Sequence, residues 1–294
     1  MSDAAASPDV RTPDKIAEQA TKQGAKKAAL DWPVLAVLGL LAGAYIAFGG
    51  LFATLALAGA EGAMPFGVGR ILAGLVFTLG LILVVVGGAE LFTGNTLLVV
   101  AWAEDRARFG DVLGAWALAY VMNLIGSVLI AVLAFLAALH EAGSGSVGAA
   151  ALRTAHAKGS LEFGTGFFSG IVANTLVCLA VWMAWGARSA ADKVLVIIPP
   201  VAAFVALNTE HSVANMSLIP FGWLVRDFSE PSFWTQTGLD PASFQGASLD
   251  GLVQNLIPVT LGNIVAGVTV GAAYWFAYLR PKAEADGNRT HRPR

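Results

Sequence analysis

The sequence predicts an all-α membrane protein with six transmembrane helices, of which the second and fifth are broken. Three observations lead to this fold class. The 294 residues have a mean hydropathy of +0.67, with 56% hydrophobic and only 13% charged residues, which is too little polar surface for a soluble globule of this size. The apolar residues form six long runs, and a short polar stretch with a glutamate interrupts the fifth run and ends the second before apolar residues resume.

The six apolar runs have the lengths expected of membrane spans. Most of them reach the roughly 20 residues that a helix needs to cross the hydrocarbon core. Apart from Glu210 and His211, they contain no Asp, Glu, Lys, Arg or His. The runs cover residues 34–60, 71–89, 112–139, 163–187, 194–225 and 251–279.

The flanking charges predict the orientation and the domain limits. If residues 1–30 form a cytoplasmic and partly helical tail, six spans return residues 281–294 to the cytoplasm, and most of the 18 lysines and arginines then lie inside. Residues 31–280 are the predicted transport domain. No cleavable signal is apparent, so we expect the first span to be retained. We expect the inner (cytoplasmic) membrane as the location. We expect no nucleic-acid partner, and Cys178, the single cysteine, excludes an intramolecular disulfide and indicates no metal site.

Two short polar stretches predict the helix breaks. Glu90 follows a Gly-Gly pair at the end of the second run, and Glu210 and His211 lie inside the fifth. Irregular backbone at membrane depth is tolerated only where protein or a cavity covers it. Ionisable groups at that depth indicate a functional site. We expect the two glutamates to be structural and to accept hydrogen bonds from backbone N–H groups that each break frees.

The two breaks resemble each other. Each glutamate is followed five residues later by an asparagine, Asn95 or Asn215, and the third and sixth runs share a second matched asparagine pair, Asn123 and Asn263. We therefore predict two three-span repeats, residues 31–139 and 161–280, with an additional extracytoplasmic segment at 227–250. Three spans is an odd number, so the repeats are inverted, as in transport proteins with matched broken helices.

Several motifs resemble the formate/nitrite transporter family over most of the chain. The resemblance implies an aquaporin-like protomer in a homopentamer within the lipid bilayer, with a path through each protomer for small monovalent anions or their acids. Formate or nitrite is the usual substrate, and some relatives take acetate, lactate or hydrosulfide. No cofactor is implied. The motifs are Gly88-Ala-Glu-Leu-Phe-Thr-Gly-Asn95, Ala155-His-Ala-Lys158, Gly170-Ile-Val-Ala-Asn174-Thr-Leu-Val-Cys178-Leu-Ala180 and Glu210-His-Ser-Val-Ala-Asn-Met216.

The same resemblance assigns roles to individual side chains. It implies that His211 is the central pore histidine, that Thr93 is a hydroxyl on a mobile loop and that Lys158 lies in a vestibule. The substrate pathway then comprises His211, Thr93, Lys158, Asn174, Asn263 and Glu210. The hydrophobic gates are Phe77, Leu81, Leu91, Phe92 and Phe204, and the structural residues at the helix breaks are Glu90, Asn95 and Asn215.

Physical chemistry suggests how an acid crosses such a path. A bare anion is very costly in an apolar passage, whereas its neutral acid is not, and desolvation raises the anion's own proton affinity. Burial of His211 favours a neutral imidazole that forms hydrogen bonds. We therefore predict proton-coupled passage, by channel or symport, of formate or a related acid, with protons as co-substrate.

Two other functional classes remain as alternatives. A neutral-solute facilitator of aquaporin type lacks support because neither break contains Asn-Pro-Ala, and it gives the Glu-His pair no role. An intramembrane enzyme is disfavoured because Ser144 and Ser146 lie in a predicted polar loop outside the bilayer. Asn208 and Thr209 depart from the family pattern, in which an aromatic residue commonly precedes the glutamate, so the substrate preference stays open.

Overall fold

The computed structural model describes residues 10–280, and within that range the secondary structure is helical, with no strand. The predicted cytoplasmic tail at 281–294 and the first nine residues lie outside the described part. The α-helices are α1 Pro13–Ala28, α2 Trp32–Leu57, α3 Phe66–Gly87, α4 Phe92–Asn95, α5 Val99–Ala103, α6 Phe109–Leu136, α7 Ser146–Gly159, α8 Phe163–Gly186, α9 Ala190–Ala206, α10 Ser212–Phe228, α11 Pro231–Thr237 and α12 Leu249–Tyr274.

Five helical segments are long and apolar enough to cross a membrane. They comprise α2, α3, α6, α8 and the segment that contains α12. Helices α9 and α10 have 17 residues each and lie on either side of an interruption. The apolar sequence builds these helices because a helix satisfies its own backbone hydrogen bonds where no water is available.

The backbone leaves the helical conformation in both stretches where a break was predicted. Helix α3 ends at Gly87, Gly88 follows with φ of 84°, and α4 begins at Phe92. Helix α9 ends at Ala206, and Asn208 follows with φ of 57° before α10 begins. Glycine and asparagine are the residues that adopt this left-handed conformation most readily, so Gly88 and Asn208 suit the positions where α3 and α9 end.

Glycines allow two helix pairs to approach closely. A Cβ on Gly126 of α6 would lie 2.0 Å from the backbone oxygen of Leu40 in α2. A Cβ on Gly262 of α12 would lie 2.1 Å from the backbone oxygen of Phe167 in α8. Such distances are far below van der Waals contact, and small residues at these positions are the usual device for tight packing in membranes. Helix α2 therefore packs closely on α6, and α8 packs closely on α12.

Helix α7 was not predicted, because the residues between the third and fourth runs read as a polar loop. Ala151, Leu152 and Ala155 are buried against α10, where Gly222 admits Ala155 and the backbone of Ala151. The segment 227–250 contains α11 and a 3₁₀ turn at Pro241–Phe244, with Phe233 and Phe244 buried in the same apolar cluster. These elements cover α7, whose last turn carries Lys158 beside α10.

Helix α1 packs on the opposite side of the molecule, against α5 and α8. Ala17 and Ala20 are buried in a cluster with Cys178 and Trp182 of α8. The last turn of α1 carries Lys26 and Lys27. This packing brings Lys27 to the first helix interruption.

Candidate functional site

The first interruption is held by a cluster around Glu90. Its Oε2 accepts from Nδ2 of Asn95 at 2.9 Å and from Nζ of Lys27 at 3.0 Å. Lys27 also donates to Oδ1 of Asn95 at 3.2 Å. Glu90 is 5% exposed, so its charge is stable there only because it is paired and hydrogen bonded.

The second interruption repeats this arrangement around Glu210. Its Oε2 accepts from Nδ2 of Asn215 at 2.7 Å, and its Oε1 accepts from Nζ of Lys158 at 2.9 Å. Asn255 of α12 adds a bond of 3.1 Å to Oε2. Each break therefore contains a buried glutamate, an asparagine five residues later and a lysine from another helix.

Two matched asparagines brace the backbone at the breaks. Oδ1 of Asn123 accepts from the N–H of Phe92, and its Nδ2 donates to the carbonyls of Glu90 and Gly39. Oδ1 of Asn263 accepts from the N–H of Ser212, and its Nδ2 donates to the carbonyls of Glu210 and Gly170, the same three bonds. The N–H groups of Phe92 and Ser212, which the breaks free, therefore donate to asparagine side-chain oxygens. The prediction that the glutamate carboxylates accept them was wrong, because those carboxylates are occupied by lysine and asparagine side chains.

His211 joins the two breaks. Its Nε2 lies 2.8 Å from Oγ1 of Thr93, which belongs to the other break. Its Nδ1 accepts from the N–H of Ala214 at 3.2 Å and so caps the N-terminus of α10. His211 is 2% exposed and Thr93 is fully buried, so the contact lies in the interior of the protein.

Aromatic rings adjoin the histidine on one side. The ring centroids of Phe77 and Phe204 lie 5.5 Å apart in an edge-to-face arrangement, and the ring of Phe204 lies 5.6 Å from that of His211. All three line a cavity of about 50 Å³, which we call the narrow cavity. It has room for only a water-sized molecule or two.

Two larger cavities flank this constriction. The α7-side cavity has a volume of about 1060 Å³ and is lined by residues of α3, α7 and α11 and by Lys158 and Glu210. The α1-side cavity has a volume of about 450 Å³ and is lined by Lys27, Glu90, Leu81 and Leu91 among others. Phe77 and Leu81 are four residues apart on α3, so about one helical turn separates the narrow cavity from the α1-side cavity.

The remaining predicted residues fall into two groups. Nδ2 of Asn174 donates to the carbonyl of Asn263 at 2.6 Å and lies 3.4 Å from the carbonyl of Thr93, so Asn174 adjoins the histidine contact. Phe92 faces α6, where its ring packs 4.9 Å from that of Tyr120, and it lines none of the three cavities described above. Among the described residues, no group of three His, Cys, Asp or Glu side chains could hold a metal ion.

Sequence reasoning missed Lys27 and Arg70. Lys27 and Lys158 are separated by the same number of residues as Gly39 and Gly170, the carbonyl partners of the two bracing asparagines, so extending the repeat into the tail would have found Lys27. Arg70 of α3 donates through Nη2 to the carbonyl of Val205 at 2.8 Å and to Oδ1 of Asn208. No sequence pattern indicated this contact between α3 and the start of the second break.

The comparison with known sequences decides the family. The profile described as Formate/nitrite transporter matches residues 14–276. This chain belongs to the formate/nitrite transporter family. It is 41% identical over 274 residues to the formate channel FocA of Escherichia coli (strain K12). The aligned region covers 92% of this chain and 96% of that protein.

Two further members of the family extend the comparison. The formate channel FocA of Haemophilus influenzae is 40% identical over 230 residues, covering 78% of this chain and 81% of that protein. A solved pentameric formate channel with formate bound superimposes with a TM-score of 0.77 at 38% identity, covering 85% of this chain and 98% of that one. The family and these relatives are channels and transporters, so this chain is a multi-pass membrane protein of that kind and not an enzyme.

Proposed function

We propose that this protein conducts formate, or a closely similar small acid, across the cytoplasmic membrane in a proton-coupled manner. The contact between His211 and Thr93 is the observation that carries the proposal. It places one imidazole between two helix interruptions, next to an aromatic constriction and between two larger cavities. Formate is favoured as substrate because the relatives at 40% and 41% identity are named formate channels.

The assembly we propose is a homopentamer of aquaporin-like protomers, each with its own path. The solved relative, at 38% identity and almost full coverage of its chain, is a pentamer. Each protomer has six spans in two inverted three-span repeats, residues 31–139 and 161–280. The matched bonds of Asn123 and Asn263 support this division, because inverted repeats place equivalent residues at equivalent backbone positions.

The distribution of basic residues supports an orientation. The α1 side faces the cytoplasm, together with both termini, and the α7 side faces outward. The α7-side cavity is then the outer vestibule, and the α1-side cavity is the inner one. Segment 227–250 lies at the outer mouth.

The hydrogen bonds of His211 define which nitrogen carries its proton. Nδ1 accepts from the N–H of Ala214, and a nitrogen that accepts a hydrogen bond holds no proton. The neutral ring therefore carries its proton on Nε2, which points to Oγ1 of Thr93. A carboxyl group in the place of the threonine hydroxyl accepts a hydrogen bond from the same Nε2–H group.

The constriction requires the permeant species to lose its charge. Phe77 and Phe204 line the narrow cavity on the outer side, while Leu81 and Leu91 line the inner cavity, and such apolar rings exclude hydrated ions by dewetting. Because desolvation disfavours the ionised carboxylate, the anion takes up a proton as it leaves the vestibule. It then crosses as the neutral acid. Phe92 packs on Tyr120 and lines none of these cavities, so we do not propose it as a gate.

Polar residues near the histidine suit a neutral acid. Oδ1 of Asn174 is buried without a hydrogen-bond partner among the described residues, so an acceptor is available for the O–H of an acid. Lys158 bonds Glu210 through one of its three N–H groups and lines both the vestibule and the narrow cavity. Its other donors can hold a carboxylate at the entrance.

Flux measurements in liposomes containing the purified protein test this proposal. Radiolabelled formate should equilibrate much faster than in empty liposomes, whereas glycerol should not. Glycerol flux without formate flux would instead support a neutral-solute facilitator. Competition by unlabelled nitrite, acetate and lactate in the same preparation would rank the substrates.

A further inference from the structure

Three basic and two acidic side chains line the outer vestibule, so one basic side chain lies outside the ion pairs there. Its charged residues are Glu61, Arg70, Arg153, Lys158 and Glu210. Arg153 pairs with Glu61 at 3.1 Å, and Lys158 pairs with Glu210 at 2.9 Å. Arg70 forms no ion pair with any residue in the described range 10–280. The positive charge that remains uncompensated in the vestibule is therefore that of Arg70.

Arg70 lies where the vestibule meets the constriction. It is one of the residues that line both the α7-side cavity and the narrow cavity, and Lys158 is another. Arg153 lines only the larger of the two. An anion that moves from the vestibule towards Phe77 and Phe204 thus passes the guanidinium of Arg70.

The guanidinium is held in a fixed orientation. Its Nη2 donates both to the carbonyl of Val205 and to Oδ1 of Asn208. Asn208 reaches it from the left-handed position that ends α9, at φ of 57°. Among the residues described, Nε of Arg70 is buried and has no hydrogen-bond partner. Arg70 is only half-buried, and its Nη1 makes no hydrogen bond within the described residues, so donors remain for a ligand or water.

From these observations we infer that Arg70 forms a carboxylate-binding site at the mouth of the narrow cavity. The site captures a small monovalent carboxylate as the anion, before the anion takes up a proton and passes the phenylalanines. Both hydrogens of Nη2 are already donated to Val205 and Asn208, so the N–H groups of Nη1, which have no hydrogen-bond partner among the described residues, donate to the carboxylate in charge-assisted hydrogen bonds. The inference rests on the proposed function, since it requires that a small carboxylate crosses the protein.

The inference also gives a role to Asn208. A glycine would satisfy the left-handed backbone equally well, but it has no side chain to orient the guanidinium. Asn208 supplies both the conformation and the acceptor for Nη2. It is therefore a positioning residue for Arg70.

A structural role for Arg70 must be separated from anion binding. Its bond to the carbonyl of Val205 ties α3 to the end of α9, and the loss of that tie alone would affect folding and the maximal rate. Loss of a binding charge instead changes the substrate concentration at half-maximal rate. The two roles therefore differ in which kinetic parameter responds.

The experiment compares initial rates of formate uptake into liposomes over a range of formate concentrations. The proteins are wild type, Arg70→Gln, Arg70→Lys and Arg153→Gln. Arg153→Gln is the matched control, because it removes the same charge from the same vestibule but away from the narrow cavity. Arg70→Lys keeps the charge and a donor for the carbonyl of Val205, so it reports on the site even if the glutamine variant does not assemble.

We expect Arg70→Gln to raise the half-saturating formate concentration about fivefold, which corresponds to the roughly 1 kcal/mol of one charge contact in well-hydrated surroundings. Any fall in its maximal rate through loss of the bond to Val205 should be smaller than this change. Arg153→Gln should change the half-saturating concentration less than about twofold because its charge is exposed and screened. In wild type and in Arg70→Lys, that concentration should rise with ionic strength.

Other results would overturn the inference. Equal half-saturating concentrations in Arg70→Gln and Arg153→Gln, or a value in wild type that does not respond to ionic strength, would exclude a binding charge at Arg70. In that case saturable formate uptake by wild type would leave the proposed function standing. No formate uptake by wild type would reject the proposed function and, with it, this site.

Discussion

Nε2 of His211 and Oγ1 of Thr93 lie 2.8 Å apart, and this contact is made between the two helix interruptions. Each interruption is separately fixed by a buried Glu-Asn-Lys cluster and a bracing asparagine. The histidine and the threonine are therefore positioned by two rigid and similar frameworks. Their contact is buried in the interior of the protein, and the proposed passage of a neutral acid depends on it.

Replacement of His211 by phenylalanine should abolish formate flux while the protein still assembles. The substitution removes the Nε2 donor and the cap on α10, and loss of a cap costs only about 1 kcal/mol. Formate uptake and size-exclusion chromatography together measure the two effects. His211→Asn is the control, because asparagine caps helices well but does not place a donor where Nε2 lies, so it should also lack flux but keep more stability. Wild-type flux in His211→Phe would remove the histidine from the mechanism.

Replacement of Lys27 by methionine should destabilise the protein by about 1 to 2 kcal/mol, because Glu90 loses a partner while it stays buried. Lys26→Met is the matched control, since Lys26 is the neighbouring lysine on α1 and is exposed. Thermal unfolding of the two variants in the same detergent measures the difference. Equal unfolding temperatures would mean that the pair of Lys27 and Glu90 contributes nothing measurable.

Replacement of Gly126 by alanine should destabilise the packing of α6 on α2 by about 1 to 3 kcal/mol, as overpacking of a close contact does. A Cβ there would lie 2.0 Å from the backbone oxygen of Leu40, which cannot move aside as a side chain can. Gly67→Ala is the control, because no atom lies within 4 Å of a Cβ at that position. Thermal unfolding should show a loss for the first variant and none for the second. A neutral Gly126→Ala would contradict the tight pairing of these helices.

The stability of the protein should fall as the pH falls below about 6.5, in part because of His140. Burial lowers the pKa of the His140 imidazole, and the Glu141 carboxylate, 3.9 Å from Nε2, opposes this shift only partly. A lowered pKa in the folded state means that the neutral ring stabilises the fold above the ordinary pKa. This contribution is lost as the pH falls through the lowered value.

His140→Phe measures the contribution of His140. The ring of His140 stacks on Phe135 at 4.6 Å, so a phenylalanine can keep the aromatic contact without titrating. Unfolding temperatures recorded between pH 8 and pH 5 should decline less in this variant than in wild type. Parallel curves for the two proteins would show that His140 does not account for the acid sensitivity.

Local patterns in the sequence revealed the parts of the site that lie within one stretch of chain. The glycines before Glu90 and the polar run around Glu210 mark the helix breaks because such residues are costly inside an apolar helix. The matched spacing of Asn123 and Asn263 also stood out. These features can be read from the sequence because a local polar group in an apolar environment needs a local explanation.

Other parts of the site depend on contacts between distant segments. The pair of Lys27 and Glu90 requires α1 to pack beside the first break, and nothing near Glu90 in the sequence indicates that packing. Helix α7 was missed because its alanines have little hydropathy and are buried by tertiary contacts rather than by lipid. The same holds for Arg70, whose acceptors lie in the last turn of α9 and in the second break.

Simultaneous measurement of formate flux and internal pH in liposomes separates passage of the neutral acid from passage of the anion. An inward formate gradient should acidify the interior at a rate that matches formate uptake, with no membrane current, and both signals should rise as the external pH is lowered and vanish in His211→Phe. Formate uptake that carries an electrical current without acidification would show that the bare anion crosses. That result would contradict passage of the neutral acid past His211.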